Sequence, residues 1–175
     1  MSENQIPLDL AREIARQGEA RLSAMMELAT ASDLRATTLF GILGAASVGI
    51  GAAVLTLLAN ERQGHSFAGL VAGGTVVALT LFSGSIIAAL AGAPRDFYVS
   101  GGNPDLLRNW SWSERTWRTE VEMLDATGQR YAESINRNRK TLEAISKRVN
   151  VALSLALASP ILGVAVFFAV RYLPT

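Results

Sequence analysis

Two clusters in this sequence carry residue types able to do chemistry with a charged partner. The first is Asp33-x-Arg35, opposite charges two positions apart and directly ahead of an uncharged run. The second is "LRNWSWSER", in which Arg108, Trp110, Trp112 and Arg115 interleave guanidinium groups with indole rings. Arginine pairs with phosphate while an aromatic ring stacks on a base, so these four form a candidate ligand-binding site for a nucleotide. Tryptophan beside a membrane span also anchors at the lipid interface, and both readings stand. Nothing in the chain points to catalysis. There is no Cys and only one His, His65. A disulfide framework, a thiolate metal site and a Cys nucleophile are therefore excluded. No Walker, H-E-x-x-H or G-x-S-x-G pattern occurs. The expectation is a chain that is not an enzyme, with no catalytic residue, metal or cofactor. The formal net charge of +1 gives no argument for nucleic acid, and none is expected as a partner.

The elements that must position these clusters follow from where the charges are missing. Residues 36–59, 66–94 and 149–170 form three runs without Asp, Glu, Lys or Arg. At about 1.5 Å per helical residue each run spans a hydrocarbon layer roughly 30 Å thick. A chain of 175 residues that is 50% hydrophobic has too little polar sequence to wrap three such helices in a soluble core. The first run follows some 35 residues expected to be mostly helical and partly acidic, which is unlike a cleavable signal peptide. The reading is an all-α integral membrane protein with three transmembrane helices, its partner being the lipid bilayer.

Orientation comes from counting cations. Segments 1–35 and 95–148 hold fourteen Lys and Arg, against Arg62 in the hairpin and Arg171 in the tail. The positive-inside rule then puts the N-terminus in the cytoplasm and the C-terminus in the periplasm, with the protein multi-pass in the inner membrane. Four segments result: a cytoplasmic amphipathic helix over 1–35, a transmembrane hairpin over 36–94, a cytoplasmic loop and long helix over 95–148, and a third span over 149–175.

Inside the spans, Gly41, Ala45, Gly49 and Ala53 recur every four residues in the first, and Gly69 and Gly73 stand four apart in the second. Such spacing lets helices approach closely in lipid. It serves packing within one bundle, a homo-oligomer face, or both. Coupled carriers keep ionisable groups at mid-membrane, and these spans have none, so a coupled transporter is not expected. Hydroxyls such as Thr56, Thr75, Thr80, Ser83, Ser85 and Ser159 should bond their own helix or a neighbour. Pro160 removes a backbone hydrogen bond and should bend the third span.

Outside the spans, Ser111-x-x-Glu114 has the form of a capping box. From Trp117 a repeat follows through Val121, Leu124, Gly128, Tyr131, Ile135, Asn138, Leu142, Ile145 and Val149. Its steps of four and three give a 3.5-residue period and a coiled-coil-like seam that continues into the third span. Leu8, Ala11, Ala15, Gly18, Leu22, Met25 and Ala29 keep the same rhythm. The N-terminal helix and the long helix should therefore pair as a cytoplasmic helical bundle. Asn138 interrupts the apolar seam, an arrangement that sets register at a cost in stability. Leucine at that position is expected to tighten the bundle while loosening its register.

Asp33 suits the start of a span helix, where a carboxylate complements the helix dipole. Arg35 suits the lipid phosphates or a carboxylate on the long helix. The pair is then either a boundary marker or a latch. The order of parts adds a resemblance: a polar helix, Asp33-Leu34-Arg35-Ala36, a small-residue span, a tight hairpin, a second span ending at Pro94, a loop, the stretch from Asn136 to Lys147, and a last span. This layout resembles the transmembrane effectors of Pycsar anti-phage systems, whose motif ahead of the first span reads approximately Asp-x-Lys-Ala; here Arg35 stands for the lysine. The resemblance implies an effector that impairs the inner membrane when a cyclic mononucleotide binds. The alternative from the residues alone is a non-conducting membrane scaffold whose coiled coil recruits a partner.

Overall fold

The computed structural model describes residues 6–59, 65–99 and 119–172. Every regular element among them is an α-helix: α1 (Leu8–Ala59), α2 (His65–Ala91) and α3 (Glu120–Tyr172). All three are long and apolar enough to cross a membrane. The fold is all-α with three candidate spans, as the run lengths require.

The start of α3 has a local cause. Thr119 sits just outside the helix, its hydroxyl oxygen accepts the Glu122 N–H at 3.3 Å, and its carbonyl accepts Met123 N–H. Thr119-x-x-Glu122 has the spacing of a capping box. Ser111 and Glu114, where sequence reading set the helix start, lie outside the described residues, as does Trp117. Asp33 begins no helix. It lies deep inside α1, where no unsatisfied amides remain for a carboxylate to cap. The N-cap role assigned to it therefore has no place in the structure.

The chain forms two compact units. The first comprises Met1–Ala31 and Pro94–Glu143. In it the described seam residues of α3, from Val121 to Leu142, are all buried or half-buried, and so are the seven of α1 from Leu8 to Ala29. The glycines explain how closely the helices come. A Cβ on Gly18 would stand 2.8 Å from the Tyr131 ring, and one on Gly128 would stand 2.9 Å from Ile14. Ile14 meets Gly128 and Gly18 meets Tyr131, so the two helices run parallel. Arg12 joins them at the rim through its guanidinium, 2.8 Å from Glu120, an exposed pair of small energetic weight.

The second unit comprises Ser32–Ala93 and Ala144–Thr175. Its core is Leu43, Leu81, Ala88 and Ala152, with Leu39, Ile50, Val77, Ile87 and Ala156 packed around them. Helix α2 runs antiparallel to both neighbours, with Gly92 against Ala36 and Gly74 against Val54 on one side, and Gly84 against Ala152 and Gly69 against Phe167 on the other. Hydroxyls tie the helices together. Ser47 donates to the Ala78 carbonyl at 2.9 Å and Ser85 donates to the Phe40 carbonyl at 3.2 Å. Within single helices, Thr56, Thr75, Thr80 and Ser83 each donate to the carbonyl four residues back. Helix α3 continues through Pro160. The proline has no N–H for the Ala156 carbonyl, and the Ser159 hydroxyl donates to that oxygen at 2.9 Å.

Candidate functional site

The Arg108, Trp110, Trp112 and Arg115 cluster, singled out for nucleotide chemistry, lies outside the described residues. The segment leading toward it does not. Residues 94–99 run without regular structure after α2, and at Tyr98 they are held by α3. The Tyr98 N–H donates to Asn138 Oδ1 at 3.0 Å, and Asn138 Nδ2 donates back to the Tyr98 carbonyl at 2.8 Å. One carboxamide thus satisfies both polar groups of one residue, as a neighbouring β-strand would. Arg137 adds a hydrogen bond from Nη1 to the Tyr98 hydroxyl at 2.7 Å, with its guanidinium carbon 5.2 Å from the ring centre.

This clamp changes the meaning of Asn138. It is 1% exposed and sits on the apolar seam, yet its amide oxygen and nitrogen each bond backbone. An unpaired amide at such a site would cost about 1–3 kcal/mol; a paired one costs far less and selects one register of the 94–99 segment. Leucine here would remove both bonds, so the expected tightening does not follow. Sequence reading picked out Asn138 and missed Tyr98. The available signal was chemical: a buried Asn must find both a donor and an acceptor.

In the second unit, Asp33 is half-buried and Arg35 exposed. Ion pairs among the described residues include Arg12–Glu120, Arg16–Glu13 and Arg139–Glu143, and neither member of Asp33-x-Arg35 is in one there. Arg35 lines a groove of about 540 Å³ with Ser32, Leu34, Thr38, Leu39 and residues of α3 from Ile145 to Leu153. Arg148, at the same level of the chain, donates from Nη1 to the Leu90 carbonyl at 2.9 Å. It supplies a cation and a donor to the end of α2, where carbonyls lack helical partners.

The small residues of the spans part into two groups. A Cβ on Gly73 would lie 2.7 Å from the Gly163 carbonyl oxygen, and one on Gly69 would lie 2.9 Å from the Phe167 carbonyl oxygen. Both glycines are consumed by packing between α2 and α3. Among the described residues Gly41 and Gly49 meet nothing within 4 Å, and Ala45 and Ala53 are exposed beside them. The four-residue spacing is the same in α1 and α2; only the second helix spends it inside the chain.

A sequence model of the family described as the Pycsar effector protein domain matches residues 19–171. No curated protein and no solved structure gives a match. The matched region takes in all of α2, α3 but for its last residue and most of α1, with the α3 side of the seam and the α1 side from Leu22 onward. The chain therefore belongs to the Pycsar effector protein domain family, and is a multi-pass membrane effector of cyclic-nucleotide-signalled anti-phage defence.

Proposed function

We propose that this effector is not an enzyme, that it self-associates in the inner membrane, and that it impairs membrane integrity when a cyclic mononucleotide activates it. The observation that carries the reading is the open face of α1. Gly41, Ala45 and Gly49 offer a surface on which a second helix can lie at short range: among the described residues nothing comes within 4 Å of a Cβ built on Gly41 or Gly49, and Ala45 is exposed between them. In lipid such small-residue faces drive association through close van der Waals contact. The cation count supports a cytoplasmic N-terminus and a periplasmic C-terminus. That orientation puts Arg108, Trp110, Trp112 and Arg115 on the side where a cytoplasmic messenger is made, and these residues supply the stacking and phosphate-pairing chemistry that a nucleotide needs.

The test is dye release from liposomes carrying the purified protein, challenged with cyclic UMP, cyclic CMP, cyclic AMP and no nucleotide. Release with one cyclic nucleotide and retention with the others is the expected result. Full retention with every nucleotide, in vesicles where insertion has been verified, would leave a non-conducting scaffold as the better reading.

A further inference from the structure

The groove between α1 and α3 in the second unit has an amphipathic build. On α1 it runs from Ser32 to Leu39 and on α3 from Ile145 to Leu153, about 10–12 Å along each helix at 1.5 Å per residue. One cation, Arg35, lines it, together with the polar side chains of Ser32, Thr38, Ser146 and Asn150. Leu34, Leu39, Ile145, Val149 and Leu153 make up the rest of the wall. Arg35 is the last charge before the first uncharged run, and Val149 opens the third, so the groove straddles the level where headgroups give way to hydrocarbon. Leu39 and Leu153 lie on the hydrocarbon side of that level.

We propose that this groove binds one acidic glycerophospholipid, its phosphodiester on Arg35 and the first half of an acyl chain along Leu39, Val149 and Leu153. Three observations select this occupant. No carboxylate among the described residues is in ion-pair contact with Arg35, so its charge is available to an external anion. A guanidinium at the headgroup level pairs with phosphate through charge-assisted hydrogen bonds. The wall below it is aliphatic, and among the described residues its lining contains no aromatic ring on which a nucleotide base could stack. A free cyclic nucleotide would find its phosphate partner here and nothing for its base. The amides and hydroxyls of Asn150 and Ser146 suit the polar rim of a glycerol headgroup. Asp33 does not line the groove.

The experiment is native mass spectrometry of the purified chain released from mixed micelles of phosphatidylglycerol and phosphatidylcholine at equal concentration. The wild type should retain one phosphatidylglycerol in preference to phosphatidylcholine by about tenfold, because both bring a phosphodiester to Arg35 but the choline ammonium opposes that cation while the glycerol hydroxyls do not. Arg35→Gln should bring that ratio close to one. Val149→Trp, which fills the groove and keeps the charge, should cut retention of both lipids. Arg171→Gln, which removes the same charge at the far end of α3, should change neither. Elution as a folded species verifies each variant. Equal retention of the two lipids by the wild type would overturn the proposal. So would unchanged preference in Arg35→Gln, or displacement of the lipid by an equimolar soluble cyclic mononucleotide.

Discussion

The two units of this chain solve the same problem, bringing long helices together, with different chemistry. In the first unit two parallel helices meet along a 3.5-residue seam, and one of its most buried side chains is a polar one, Asn138. Its carboxamide is spent on the backbone of Tyr98. In the second unit the side chains at the contacts are small, and hydroxyls reach directly to carbonyls of neighbouring helices. The difference matches the solvent each sequence implies. Water rewards the burial of Leu22 and Met25 on a seam. Lipid gives no such reward, so the spans rely on close approach and on hydrogen bonds that leave no backbone group stranded. Among the described residues no buried side-chain polar atom lacks a partner.

The strongest way to break that comparison is to treat glycines as interchangeable. Gly73→Leu drives a side chain into the Gly163 carbonyl and should destabilise the membrane unit by about 3 kcal/mol, read as a large fall in thermal midpoint in detergent. Gly49→Leu enters open space; it should leave that midpoint nearly unchanged while weakening self-association. Equal loss of stability in both variants would mean that the α1 face is packed after all.

The clamp comes next in size. Asn138→Leu should lower stability by about 1–2 kcal/mol, since two backbone bonds disappear and the apolar replacement cannot restore them. Hydrogen exchange at the Tyr98 amide should accelerate in the same variant. A more stable protein with a protected Tyr98 amide would make Asn138 an ordinary seam interruption.

A smaller effect isolates the proline. Ser159→Ala removes the donor that serves the Ala156 carbonyl and should cost about 1 kcal/mol. In a Pro160→Ala background a backbone N–H returns to that carbonyl, and the same Ser159→Ala change should cost clearly less. An identical cost in both backgrounds would show that hydroxyl and proline are not coupled.

The smallest effect is electrostatic. On α1, the Arg16 guanidinium and then the Gln17 amide hold the Glu13 carboxyl down at about 2 against an ordinary 4.5. A lowered carboxyl stabilises the folded state above pH 4.5 and loses that contribution as pH falls toward 2. The pair is solvent-exposed, so the slope over this window should be shallow, and Glu13→Gln should flatten it further. A steeper acid transition in Glu13→Gln would contradict the assignment.

Much of this architecture is legible in one dimension because charge and period are local properties. Runs without charge over 36–59, 66–94 and 149–170 mark the three helices able to cross a membrane, and the four-three rhythm picks out Leu22 and Ile145, both 1% exposed. Ser159 beside Pro160 is equally local. What is not legible depends on a third partner. Gly41-x-x-x-Ala45 and Gly69-x-x-x-Gly73 read alike, and only the placement of α3 decides which stripe is covered. Tyr98 stands 40 residues from Asn138, and no pattern in the loop announces that its backbone will fill an amide's needs. The Asp33 carboxylate has the local pattern of a cap because the first apolar run starts just after it, whereas α1 is one helix from Leu8 to Ala59.

Self-association across the open face of α1, the contact proposed above, is tested most directly by crosslinking. The native chain has no cysteine, so single-cysteine variants report without background. Ala45→Cys lies on the open stripe, and Leu157→Cys, 75% exposed on α3, serves as the comparison. After reconstitution into vesicles and addition of the nucleotide that triggers dye release, mild oxidation should yield a disulfide-linked dimer for Ala45→Cys and little for Leu157→Cys. Dye release with no dimer at Ala45→Cys, or with faster crosslinking at Leu157→Cys, would contradict the account.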